Sequence, residues 1–396
     1  MRRCFVLAIA FALAAAAAAS AGAAPAEDAQ ALQRTFLRGV RLLEAGDAQQ
    51  AEAIFREMLR HTDSPRVKLE LARALYVLGR YEDSKRLFQE VSRQADTPWR
   101  VRDNIAQFVG QIEERTGYLK FSVTFVSDSN PRNLAAQKEF SIGDLRLTPT
   151  EAPKKMTGLR YSARGWLPLE ESPNGAAGYL AASYTDLPGS DFDRLTVDAG
   201  LSRGLGRSGT LRGKAGLELG AFGGKLLYAF PYVGADSILD QSRAHRLAGE
   251  AKLGRIVVPD LRFQDATYAS GALSVRYLAS DSVTATLRVG AEVSSARERP
   301  YSYHGWDVGP GLSWLWAQTA CLVGASASLG SRKYAGADPF FGVQREDAKA
   351  KFELTLGNKE WRWRDNHLVL IAALEKNRSN IEFYRYRKAS LSVSVE

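Results

Sequence analysis

The sequence predicts a two-part protein of α plus membrane-β class: a short helical-repeat domain followed by a 14-stranded antiparallel transmembrane β-barrel. Three observations carry this prediction. Apolar residues recur at helical spacing from Asp28 to Arg115, and the period switches to two at Gly117. The two-residue alternation then returns to the end of the chain in pieces of about ten residues parted by turn residues. The 396 residues are 45% hydrophobic with a mean hydropathy of −0.24. That balance excludes a helical membrane bundle but suits a barrel, whose strands alternate apolar and polar positions.

The first segment, residues 1–26, reads as a secretory signal peptide. Arg2 and Arg3 form a basic start, an apolar run follows from Cys4 to Ala19, and small residues then offer cleavage after Ala23 or Ala26. A membrane anchor fits less well, because the run is short and dissolves into alanines. Two cysteines, Cys4 and Cys321, build neither a disulfide framework nor a multi-cysteine metal site. Processing would leave Cys321 as a lone thiol, buried or facing lipid within a strand.

Residues 27–116 are expected to form a periplasmic helical domain. Two units lie in register at an interval of 33: Gly39 matches Ala72, Leu42 matches Leu75, Gly46 matches Gly79, Ala51 matches Ser84 and Phe55 matches Phe88. Small residues let paired helices approach, and the glycine pair Gly46 and Gly79 sits in the turn between them. The pattern is similar to a tetratricopeptide helix-turn-helix unit of roughly 34 residues; a generic helical hairpin domain is the alternative. Trp99 to Arg115 reads as a capping helix, since two such units alone bury little surface. Leu42, Phe55, Leu75 and Phe88 are the candidate groove residues of this domain.

Residues 117–396 read as the barrel. Leu119, Phe121, Val123 and Phe125 alternate with Lys120, Ser122 and Thr124, and Val283 to Val293 is as regular. Charges such as Glu250, Arg288 and Glu292 occupy the intervening positions. A soluble sandwich could expose those charges, but aromatic residues near the strand ends suit membrane girdles better. Fourteen segments begin near 118, 158, 178, 194, 210, 226, 245, 268, 283, 304, 320, 347, 366 and 387. An even number returns both barrel termini to the periplasm. Short connections are expected there, such as Gly204–Gly209 and Ala279–Ser282, with a longer one at Gly357–Asn366. Long connections are expected outside at Ser127–Met156 and Gly330–Glu346.

Charge and motif content narrow the function. Removing the signal's two arginines leaves 51 basic against 44 acidic residues, and the helical domain is neutral. The excess of +7 is spread along the barrel, which argues against a nucleic-acid patch. Gly204-Leu205-Gly206-Arg207-Ser208-Gly209 fits a dinucleotide fingerprint, yet period two from Thr210 leaves no helix to receive a pyrophosphate. Four histidines without metal-ligand spacing, and no nucleophile elbow or P-loop lysine, leave no expected cofactor, nucleotide, metal or enzymatic activity.

Several runs resemble one family. Leu69-Glu70-Leu71-Ala72-Arg73-Ala74-Leu75 and Arg102-Asp103-Asn104-Ile105 are similar to the helical part of the surface lipoprotein assembly modulators, called Slam. In the barrel, Ser127-Asp128-Ser129-Asn130, Tyr334 to Gly342 with Arg345 and Asp347, Ser379-Asn380-Ile381 and Tyr386-Arg387 resemble family runs. Asp128, Ser129, Asn130, Arg345, Asp347, Ser379 and Asn380 are thus family-like positions of unassigned role. The resemblance implies a fourteen-stranded outer-membrane barrel with a periplasmic repeat domain, which helps client surface lipoproteins or secreted proteins reach the cell surface. It implies outer-membrane lipids as the barrel's other partners. The chain departs from most assembled barrels in ending Ser394-Val395-Glu396 rather than in an aromatic residue. A polysaccharide-export barrel and a passive porin remain the alternatives; the first usually carries many more repeats and a lumen of one charge sign.

Overall fold

A computed structural model describes residues 26–395 except 136, 138, 143–144, 149–150, 171–173, 207–209, 243 and 364–365. The expected signal peptide, apart from Ala26, lies outside the described residues. Two compact units divide at Thr116/Gly117.

The first unit contains five helices: α1 (Ala26–Glu44), α2 (Ala48–Leu59), α3 (Pro65–Val77), α4 (Tyr81–Arg93) and α5 (Trp99–Thr116). Each packs on the next in chain order. Gly46 and Gly79 adopt φ of +91° and +77° in the turns after α1 and α3, a conformation that disfavours a Cβ. Asp47 then caps α2, accepting from the Gln50 amide at 3.1 Å. Pro65 opens α3, where its missing N–H goes unused.

The register read from the sequence explains the packing. Gly39 lies so close to Phe55 that a Cβ would sit 2.7 Å from its ring. At the equivalent place in the second unit, buried Ser84 donates its hydroxyl to the Ala72 carbonyl at 2.7 Å. One apolar cluster joins Phe36, Phe55, Leu71 and Leu75; a second joins Ala72, Phe88, Val91, Ile105 and Ile112 and extends the stack to α5. Between α3 and α4, buried Lys68 donates to Glu90 at 2.6 Å and also to Asp63, which precedes α3. These two hydrogen bonds, Asp63's first, raise its pKa above the ordinary 10.5.

The second unit is a closed antiparallel barrel of fourteen strands. They are β1 (Tyr118–Asp128), β4 (Met156–Pro168), β5 (Ala176–Asp186), β6 (Arg194–Leu205), β7 (Leu211–Phe222), β8 (Lys225–Gln241), β9 (His245–Ile256) and β10 (Ala266–Leu278). There follow β11 (Val283–Ala296), β12 (Tyr303–Trp316), β13 (Cys321–Ala337), β14 (Gln344–Trp363), β15 (Asn366–Ser379) and β16 (Tyr386–Val395). A two-stranded hairpin, β2 (Phe140–Ile142) and β3 (Leu145–Leu147), lies within the β1–β4 connection. Neighbours in sequence are neighbours in the barrel, and β1 closes on β16 from Val123↔Val395 to Asp128↔Ser390. Both barrel termini lie at one rim, the terminal rim; the opposite end is the loop rim.

Alternation sets the two faces of this wall. Outward positions carry Leu119, Phe121, Val123 and Phe125 on β1, with Phe121 72% exposed, and Leu287, Val289 and Val293 on β11. An apolar belt of this extent facing water would be unstable; facing hydrocarbon, it is the wall of a membrane barrel. Inward positions carry the charges and small residues. Paired Gly200 and Gly216 leave room for the Tyr179 hydroxyl, which bonds that of Tyr232 at 2.8 Å. Cys321 is half-buried, first in β13 and outward by parity with Val323.

All fourteen expected segments are present, and two expected connections are corrected. Gly330–Glu346 is not a long loop: β13 runs to Ala337 and β14 starts at Gln344, leaving a six-residue turn at 338–343. Gly357–Asn366 is mostly strand, because β14 extends to Trp363. Glycines and charges in both stretches mimic turn composition, while the strands continue through them with a register shift, between Lys333 and Ala337 in one and between Gly357 and Arg362 in the other. Of the glycine fingerprint, Gly204 and Leu205 end β6 and residues 207–209 lie outside the described residues; the next element is β7 from Leu211, not a helix.

Candidate functional site in the barrel lumen and loop rim

The seven family-like positions gather at the loop rim, on β14, β15 and β1 and in the residues just past β15 and β1, with β16 lying between those two strands. Their side chains mostly bond backbone, which fixes where the strands end. Asp128 accepts from the Asn130 amide at 2.8 Å, and Ser129 accepts from the Ala389 amide at 2.8 Å. Asn130 is 2% exposed; its amide nitrogen donates to the carbonyls of Leu134 (2.7 Å) and Arg387 (3.3 Å), and its oxygen accepts from Leu134 N–H. Asn380 bridges to β14, accepting from Glu346 N–H at 2.8 Å and donating to Gln344 C=O at 2.7 Å. Ser379 accepts from Ile381 N–H through its hydroxyl and from Arg385 Nε through its carbonyl.

Arg345 and Asp347 form the one side-chain pair of the set. Arg345 Nη2 lies 2.6 Å from Asp347 Oδ2, and Nε reaches both carboxylate oxygens at 3.1 and 2.9 Å. Its guanidinium stands 3.4 Å from the Tyr384 ring centroid and 4.7 Å from that of Tyr334. Tyr384 in turn donates to Asp338 Oδ2 at 2.8 Å, while Asp338 Oδ1 accepts from the amides of Phe340 and Phe341. Burial, then the Asp338 bond, pushes the Tyr384 hydroxyl up to about 12, so it remains a donor at neutral pH. One carboxylate therefore holds the 338–343 turn and ties it to the β15–β16 connection.

The lumen beneath is lined by charges of both signs. A cavity of about 980 Å³ is lined by Glu250, Arg288, Glu292, Asp307, Arg332 and Lys349 among others, and by Arg132–Ala135 of the β1–β4 connection. Arg288 bridges Asp307 (2.6 Å) and Glu250 (3.1 Å), and Arg332 pairs with Glu292 (2.6 Å). Lys349 and Lys388 both reach Glu375, which also accepts from the Tyr386 hydroxyl. The 130–135 segment leans over the rim toward β6: Arg194 donates to the Pro131 carbonyl, and Arg132 lies 4.2 Å over the Phe192 ring. This wall offers hydrogen-bond donors and acceptors and charges of both signs. Among the described residues, no cluster has the ligands to hold a metal ion.

The four helical groove residues are corrected. Phe55, Leu75 and Phe88 are at most 2% exposed, and half-buried Leu42 packs against the same core. Phe55, Leu75 and Phe88 hold the repeats together and present no surface to a client, while Leu42 keeps a partial one. The ion pairs Arg288–Glu250–Asp307 and Arg332–Glu292 were visible in the sequence only as charges at polar positions, because their partners come from different strands.

Comparisons with known proteins follow the same division. Residues 42–102 match the tetratricopeptide repeat family, and residues 262–396 match the surface lipoprotein assembly modifier family. No curated protein matches the chain. Among solved structures, a bacterial polysaccharide outer membrane secretin is similar at 12% identity and TM-score 0.37, covering 71% of this chain and 98% of that one. The outer membrane channel DcaP of Acinetobacter baumannii is similar at 9% identity and TM-score 0.40, covering 71% and 97%. OccAB3 of the same organism is similar at 9% identity and TM-score 0.39, covering 70% and 98%. At this distance they bear on neither cargo nor mechanism. Over the later strands of its barrel the chain matches the surface lipoprotein assembly modifier family, which bears out the resemblance carried by Tyr334–Asp347 and Ser379–Arg387, and the match over 42–102 bears out the tetratricopeptide reading of the helical segment.

Proposed function

We propose that the protein is a non-enzymatic outer-membrane assembly factor that delivers specific partner proteins, surface lipoproteins or secreted proteins, to the cell surface. The observation that carries this reading is the family match over residues 262–396, which includes four of the seven rim positions. In this reading the loop rim faces outward, the helical domain is on the periplasmic side, and the barrel stands among outer-membrane lipids. With its core residues excluded, the helical domain offers exposed Leu32, Leu37 and Val77 to an extended or partly folded client. The membrane supplies no hydrogen bonds to an unpaired backbone, so a client crossing it needs a polar wall such as the lumen lining. Energy for the crossing would come from client folding outside or from another machine.

The porin reading is disfavoured by lumen charges that are paired along the wall and by residues 130–135, which overhang the rim. Removing the protein from its cell separates the two. Antibody on intact cells should lose one client protein while small-solute uptake is unchanged. Slowed solute uptake with every surface protein still displayed would overturn the proposal.

A further inference from the structure

The outward face of β15 and β16 changes character near the loop rim. Inward Glu375, Asn377 and Ser379 are buried, so Lys376 and Arg378 on the same strand point away from the lumen. Arg387 pairs with Lys376 across the ladder and shares its face, since its neighbour Tyr386 bonds Glu375 inside. Cross-strand partners lie about 5 Å apart at Cα and alternate residues about 7 Å apart, so the three cations form one compact group. Just below them the same face is apolar, with Leu374 62% exposed and Leu391 and Phe352 beside it.

Among the described residues, none of the three side chains has an acidic or hydrogen-bonding partner. The contrast with Lys333 is informative: it faces outward at the same rim but is matched by Glu346 at 2.7 Å. Three unmatched cations at this spacing repel one another. They are stable neighbours when an anion with several oxygens lies between them, and the arginine forks match phosphate oxygens in pairs. Their position one or two outward residues beyond the apolar belt corresponds to headgroup height.

We propose that Lys376, Arg378 and Arg387 form a binding site for the phosphate of a phosphorylated glycolipid in the leaflet that surrounds the loop rim. The site's place in that leaflet rests on the outward orientation proposed above; its phosphate chemistry does not. Leu374 and Leu391 would meet the upper acyl chains while the cations hold the headgroup. Such a lipid would pin the β15–β16 side of the barrel, where the 338–343 and 380–385 turns interlock.

The test titrates full-length protein in neutral detergent micelles with bisphosphorylated lipid A, with its dephosphorylated form, and with inorganic phosphate. Bisphosphorylated lipid A should bind, and each of Lys376→Gln, Arg378→Gln and Arg387→Gln should weaken it about fivefold. The triple variant should weaken it on the order of a hundredfold, while Lys333→Gln has little effect and Arg378→Lys, which keeps the charge but loses the fork, weakens it less than Arg378→Gln does. Heat-modifiable gel mobility checks that each barrel is folded. Equal binding by a folded triple variant, or equal binding of the dephosphorylated lipid, would overturn the site. Full competition by inorganic phosphate at the lipid's own concentration would make it a free-anion site and overturn the lipid assignment. Orientation is tested apart, by labelling Val343→Cys in a Cys321→Ser background on intact cells; exclusion of the label there would overturn the outward rim while micelle binding persisted.

Discussion

The helical unit and the barrel bury their apolar residues in opposite directions. Phe55 in the helical unit is fully enclosed, whereas Phe121 in the barrel is 72% exposed. The helical unit is held by an apolar interior with few buried polar groups. The barrel is held by closed hydrogen-bond ladders, with an interior of ion pairs and tyrosines. The lesson is that period identifies the element, while the surroundings decide what an apolar stripe is for. In helices too few to enclose anything else, the stripe becomes core. In a strand wall that closes on itself, it becomes the face toward lipid.

Truncation of one aromatic residue in each unit should expose this contrast most strongly. Phe55→Ala should cost about 3–5 kcal/mol and melt the helical signal first, followed by circular dichroism at 222 nm. Phe121→Ala should leave barrel mobility on unheated gels unchanged. Equal loss in both would mean that the two units share one kind of core.

Within the barrel, adjacent residues on β11 sharpen the same point. Leu287→Arg places a charge on the outward face, at a cost of roughly 2–4 kcal/mol near mid-membrane, and should reduce folded barrel. Thr286→Arg faces the lumen and should cost much less, measured as the folded fraction in denaturant titration. A reversed order would mean that the register is wrong.

The loop rim should respond less and locally. Asn380→Ala removes two bonds to the β14 backbone and should cost about 1–2 kcal/mol. Protease cleavage within 338–343 should rise while heat-modifiable mobility is retained. No change in cleavage would show that Asn380 does not hold that turn.

The smallest expected effect is on pH. Lys68 has a raised folded pKa, so its contribution is fully present below the unfolded value of 10.5 and disappears as pH rises through the folded value. Helical thermal stability should therefore fall more steeply above pH 10.5 in the wild type than in Lys68→Met. Parallel slopes would remove Lys68 from the account.

Much of this architecture could be read from the sequence because both periods are strong. Every barrel strand starts within three residues of its expected position, and Gly46 and Gly79 occupy the turns their spacing assigned. What could not be read depends on long-range geometry. Whether Phe88 faces a client or Ile105 depends on how α4 meets α5, and no local pattern encodes that. Gly330 and Gly357 resemble turn residues, yet partners on neighbouring strands keep them in the ladder. Arg345 and Asp347 stand two apart and were visible as a motif, but their hold on Tyr384 required the β14–β15–β16 register. The unmatched cations of β15 and β16 became a group only once Lys376 was opposite Arg387.

In the proposed function the helical domain receives a client and the barrel delivers it. Deleting residues 28–94 removes α1 to α4 almost entirely and leaves the barrel's self-contained strand pairing intact. Surface display of the cognate client is then measured with antibody on intact cells, beside a gel assay for inserted barrel. The account predicts normal barrel insertion with the client held in the periplasm, and display restored when the domain is returned. Normal display of that client without the domain would contradict it.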